Sequence, residues 1–98
     1  MFYKFTLCGV EVRRFLRPSK NVRDAIIALD LKITDFQERN ASSRFRNSTE
    51  AAFECCEILG EIKFMYLSGL LNPYDYRRVV NRLTGQVFEE NDYFDQEV

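Results

Sequence analysis

The feature that most constrains this chain is a helical segment that is apolar nearly all the way round, in a sequence too short to wrap it. A long helix is predicted from Asn47 or Ser48, with Glu50 three residues after Asn47 resembling a capping box. Ala51, Cys55, Ile58, Ile62, Met65 and Gly69 recur at alternating steps of four and three, the spacing of one buried stripe. Ala52, Phe53, Cys56, Leu59, Phe64, Tyr66 and Leu67 occupy most other directions, and only Glu50, Glu54, Glu57 and Glu61 form a plainly solvated line. Such a helix needs neighbours on several sides, whereas 98 residues allow one domain with one core.

The neighbours on offer are few. Residues Phe2 to Leu16 read as a β-hairpin, because a two-residue turn at Cys8-Gly9 pairs Leu7 with Val10, Phe5 with Val12 and Tyr3 with Arg14 on one face. Lys4 then lies opposite Arg13, and Cys is an unusual first turn residue, so a helix beginning at Val10 is the alternative. After Pro18, Asn21 is read as a cap with Asp24 in the first turn. Val22, Ile26, Leu29, Ile33 and Phe36 form the buried stripe of a first helix reaching about Arg39. Residues 40–47 read as a loop in which only Phe45 has reason to be buried. Asn72-Pro73 starts a third helix, Gly85 is expected to stop it, and Tyr76, Val79, Val80 and Leu83 make its buried face. The expected architecture is mostly helical α+β: an N-terminal hairpin packed on three helices, the long second one central. A single domain spans 1–88, and 89–98 form an acidic tail expected to be partly disordered in isolation.

The hydrophobic fraction of 46% rules out a wholly disordered chain. Lys4, Glu11, Arg13 and Arg14 interrupt any secretion-signal core, and no stretch approaches a membrane span, so a cytoplasmic location is expected. Cys8, Cys55 and Cys56 are an odd set with an adjacent pair, which reads as reduced thiols.

Catalysis and metal binding find little support. The chain has no histidine, the commonest general base and zinc ligand. Cys55-Cys56 lacks the gap with which two thiolates grip one ion. Glu54 and Glu57 beside the pair raise rather than lower thiol pKa values, so both cysteines are expected to pack. The line of four glutamates has no Glu-x-x-His partner of the kind a di-metal bundle needs. No catalytic residue, metal or cofactor is therefore expected.

Charge is more informative. Net charge is −1, yet the chain carries ten basic and five acidic residues through Arg46, and four basic and ten acidic from Asn47 onward. Arg13, Arg14, Arg17, Arg44, Arg46, Arg77, Arg78 and Arg82 are candidates for a nucleic-acid surface, with Phe2, Phe15 and Phe45 near enough in sequence to stack on bases. Against this stand a pI near 5.5, no known nucleic-acid motif, and an acidic tail that would compete for the same arginines. The leading expectation is a non-enzymatic interaction module that self-associates as a dimer or binds a heterologous protein, in the manner of a regulator or inhibitor. Phe53, Phe64, Leu67 and Gly60 are its expected interface, and Glu50, Glu54, Glu57 and Glu61 a candidate acidic surface.

Overall fold

The computed structural model describes residues 3–87. Strands β1 (Tyr3–Leu7) and β2 (Val10–Arg14) form an antiparallel hairpin, followed by helices α1 (Lys20–Arg39), α2 (Ser43–Arg46), α3 (Thr49–Leu67) and α4 (Pro73–Val87). The hairpin has the expected register, Leu7 to Val10, Phe5 to Val12 and Tyr3 to Arg14, with Lys4 opposite Arg13. Cys8 (φ 53°) and Gly9 (φ 79°) both adopt the left-handed backbone of a type I′ turn, whose twist matches that of the flanking strands. Phe2 and the tail from residue 88 lie outside the described residues.

β1 packs on α1, α1 on α3, α3 on α4, and α4 on β2, so the elements close a ring around one core. Phe5, Leu7, Val10 and Val12 enter that core from the hairpin and Ile26, Leu29, Ile33 and Phe36 from α1. Ala51, Cys55, Ile58, Ile62 and Met65 enter from α3, and Leu71, Val79, Val80 and Leu83 from the last part of the chain. The predicted stripes are thus the buried ones, except that Val22 and Tyr76 are only half-buried and Gly69 lies beyond its helix. Lys32 reaches Glu61 and Arg39 reaches Glu54, so numbers rise on α1 as they fall on α3 and the two helices run antiparallel.

The boundaries differ from expectation at the cap of α1, in the loop after it and at the end of α4, each for a local reason. Ser19, not Asn21, caps α1, its hydroxyl accepting from the Val22 N–H at 3.4 Å, because Ser19 follows Pro18 in an extended conformation suited to a cap. Ser48 caps α3, accepting from Ala51 N–H at 3.1 Å. The predicted loop contains the single turn α2, too short for any periodicity, held by Phe45 against the edge of Phe36 at 6.0 Å between ring centroids. Gly85 does not stop α4, which continues to Val87; one glycine costs a helix about 1 kcal/mol, too little to end it alone. Gly69 does end α3. At φ 90° it donates to the Tyr66 carbonyl while Leu70 donates to that of Met65, a Schellman closure that satisfies two terminal carbonyls.

Candidate interaction surfaces

Helix α3 has a neighbouring helix on each flank and the core beneath it, and its fourth side is bare. Phe53, Phe64 and Leu67 stand on that side, exposed at 70, 71 and 70%. Their spacing of eleven and three residues returns to nearly the same direction on a helix of 3.6 residues per turn, which is why three distant positions share one face. Gly60 lies on the same side, and a Cβ added there would meet nothing within 4 Å. No close helix approach inside the fold accounts for this glycine. Cys56 belongs to this surface too; it is exposed, not packed as expected, while Cys55 is buried. A groove of about 580 Å³ runs between α1 and α3, floored by Val22, Ile26, Leu29 and Met65 and bordered by Gly60 and Phe64.

The four glutamates divide. The Arg39 guanidinium lies 2.7 Å from Glu54 and 2.8 Å from Asp35, and the Lys32 ammonium donates to Glu61 at 2.8 Å. The hydrogen bond to Glu61 favours charged Lys32 and raises its pKa. The Arg39–Glu54 and Lys32–Glu61 pairs join α1 to α3 at solvent-accessible sites, where water and salt screen the attraction. Glu50 and Glu57 remain exposed, Glu57 at the border of the groove between α1 and α3.

The arginines are distributed over separate elements. Arg13 and Arg17 are exposed at the hairpin and just after it, with Arg14 half-buried at the end of β2. Arg44 is exposed on α2, and Arg46 is half-buried and donates to the Asn40 carbonyl at 3.1 Å. Arg77, Arg78 and Arg82 are exposed on α4. Packing of α4 on β2 brings two of these to the hairpin turn, where Val10, Arg78, Asn81, Arg82 and Gly85 line a groove of about 450 Å³. Sequence reasoning found the arginines but not the groove, because its walls come from elements some seventy residues apart.

Cys8 adjoins the same region. Its side chain is buried and accepts from the Gln37 amide at 3.0 Å, and its backbone N–H donates to Asp30 at 3.3 Å. Burial pushes the thiol up to about 11, with the Arg82 charge pulling the other way and Asp30 adding to the rise. Burial also raises Cys55, with a smaller push from Cys56. Neither is the low-pKa thiol that nucleophilic chemistry needs. Among the described residues no group of three Cys, Asp or Glu side chains is placed to hold a metal ion, and no helix is long and apolar enough to cross a membrane. Comparison of the chain with known protein families, with curated protein sequences and with solved structures finds no match.

Proposed function

We propose that this protein is a non-enzymatic interaction module that self-associates through the outward face of α3. The observation that carries this reading is the set of Phe53, Phe64 and Leu67, each about seven-tenths exposed, around an unobstructed Gly60. Burying a Phe or Leu is worth about 1.5–3 kcal/mol. Six such side chains in a symmetric pair supply a gross drive of about 10 kcal/mol or more, comparable to the cost of about 4–15 kcal/mol for immobilising two bodies. Gly60 supports the same reading, because a residue without a side chain lets a second backbone come close where a larger one would hold it off.

The test is solution mass by light scattering over a range of protein concentration and salt, with nucleic-acid absorbance recorded on the same peak. The expected result is a concentration-dependent dimer free of nucleic acid. Phe64→Ser with Leu67→Ser should yield a monomer that retains its helical circular dichroism. A wild-type chain that stays monomeric at every concentration would overturn the reading, and a mass that appears only with nucleic acid at low salt would replace it with binding through the arginines.

A further inference from the structure

The outward face of α3 reads the same in both directions. From Gly60 its residues lie four and seven positions away on each side, Cys56 and Phe53 before it, Phe64 and Leu67 after it, all exposed. With 3.6 residues per turn these five point within about 40° of one direction. That direction is opposite the buried stripe of Ala51, Cys55, Ile58, Ile62 and Met65. In the ring of packed elements α3 lies between α1 and α4, across from the hairpin, so the face is open to a second body. A spacing symmetric about one residue is what a two-fold axis relating two antiparallel helices requires, since each residue then stands level with the one equally far from the centre in the other copy. Gly60 meets Gly60, Cys56 stands level with Phe64, and Phe53 with Leu67.

The side-chain sizes suit the same axis. Crossed helices are closest at their crossing point, and Gly60 has no side chain to hold a second backbone off. One turn out, small Cys56 is level with large Phe64; two turns out, Phe53 is level with Leu67, so the gap widens alike on both sides. Parallel helices in register would instead set Cys56 on Cys56 one turn before the glycine and Phe64 on Phe64 one turn after it, and no single separation packs both. At seven-tenths exposure Phe53 and Phe64 each offer roughly 100–170 Å² of the area an aromatic side chain can bury. With Leu67 that makes about 400 Å² per copy, half of what one partner buries in a standard interface, before the flanks are counted. Flanking charge opposes the pairing weakly. Glu57 and Lys63 lie on opposite sides of Gly60, so the axis brings each to its own counterpart about 9 Å along the helices, where like charges in water lower affinity about twofold. Lys32, bonded to Glu61 and also attracted by Glu57, offsets the acidic side. We infer that two copies of this chain pair through α3 as antiparallel helices crossing at Gly60, with Cys56 of each against Phe64 of the other and Phe53 against Leu67. The inference deepens the reading of this face as a self-association surface and rests on it. Its consequence is that one pairing covers the whole outward face of both copies, so assembly stops at two.

The experiment uses the full chain with Cys56→Ser, which keeps a small side chain opposite Phe64, and a nitroxide on Thr49→Cys or on Ala52→Cys. Both sites are exposed on α3, whereas Cys8 and Cys55 are buried from the label. Distances between copies are read by electron paramagnetic resonance. At 1.5 Å per residue the labels should lie about 33 Å apart at position 49 and about 24 Å at position 52, the separation shrinking as the label nears Gly60. Gly60→Leu should weaken the dimer at least tenfold and leave the helical circular dichroism intact, because a side chain there has open space in the single copy. Equal distances of about 10 Å at both sites, the interaxial spacing of parallel helices, would overturn the antiparallel pairing and leave self-association standing. So would distances that do not fall from the first site to the second, or a Gly60→Leu chain that dimerises as tightly as the wild type. A wild-type chain that stays monomeric at every concentration, with no distance at either site, would overturn the pairing together with the α3 face as a self-association surface.

Discussion

Helices α1 and α3 are nearly equal in length, 20 and 19 residues, and bury their apolar residues at the same alternating spacing. Their other sides are unlike. Away from its core stripe α1 is mainly charged and amide residues, with Ile27 and Leu31 as apolar interruptions exposed at 56 and 65%. The corresponding side of α3 is Phe53, Cys56, Gly60, Phe64 and Leu67, with charge confined to its flanks. A buried stripe tells how a helix joins its own fold, and the two helices do that alike. What a helix presents to the outside is set independently, and there α3 is the more apolar of the two.

This contrast can be broken by substitution. Inward positions should govern stability: Phe36→Ala is expected to cost about 3–5 kcal/mol and Ile62→Ala about 2–5 kcal/mol in urea denaturation, because both side chains are fully buried. If Phe64→Ser costs as much, the outward face is part of the core and the distinction fails. Cys8 separates the faces by titration. Its thiol rises from 9.0 to about 11 on folding, so the native state holds the proton that the unfolded chain releases first. Stability from this group is complete below pH 9 and declines between pH 9 and 11, by about 2–3 kcal/mol in total, in denaturation at stepped pH. Native alkylation at pH 8 should modify Cys56 and spare Cys8 and Cys55, read by mass spectrometry of peptides.

Smaller effects sharpen the comparison. Ser48→Ala should cost about 1 kcal/mol by removing the α3 cap. Gly60→Ala should stabilise the monomer by about 1 kcal/mol, since the added methyl meets nothing, while weakening association if Gly60 is a point of contact between copies. Lys32→Ala should cost less than about 1 kcal/mol, and less still in high salt.

The hairpin register was legible because Cys8-Gly9 is the only short turn that aligns Leu7, Phe5 and Tyr3 with Val10, Val12 and Arg14. The inner stripes of α1, α3 and α4 were legible from periodicity alone. The outward cluster at Phe53, Phe64 and Leu67 could be named as whatever lay opposite the α3 stripe, and the exposures agree with that placement. What periodicity lacks is direction around the axis relative to other elements. It could not tell that Glu54 and Glu61 pair with Arg39 and Lys32 of α1 while Glu50 and Glu57 make no such ion pair among the described residues. It gave no sign that α4 would bring Arg82 over the hairpin turn, since that depends on how four elements close into a ring. One-turn α2 and the continuation of α4 through Gly85 were missed because the energies that decide them are small and come from neighbours such as Phe36.

The turn at Cys8 bears on the order in which this chain folds. A non-glycine residue in left-handed backbone is unfavourable by about 1–2 kcal/mol, and Cys lacks the local hydrogen bond that lets Asn or Asp tolerate it. The compensation here is distant in sequence: Asp30 and Gln37, both on α1, hold the Cys8 backbone and sulfur. The hairpin turn thus draws on contacts from α1. Part of what holds it closed comes from α1, so residues 1–16 excised as a peptide should remain unstructured in circular dichroism, and Asp30→Ala should slow folding more than a change confined to the strands if that contact is made early.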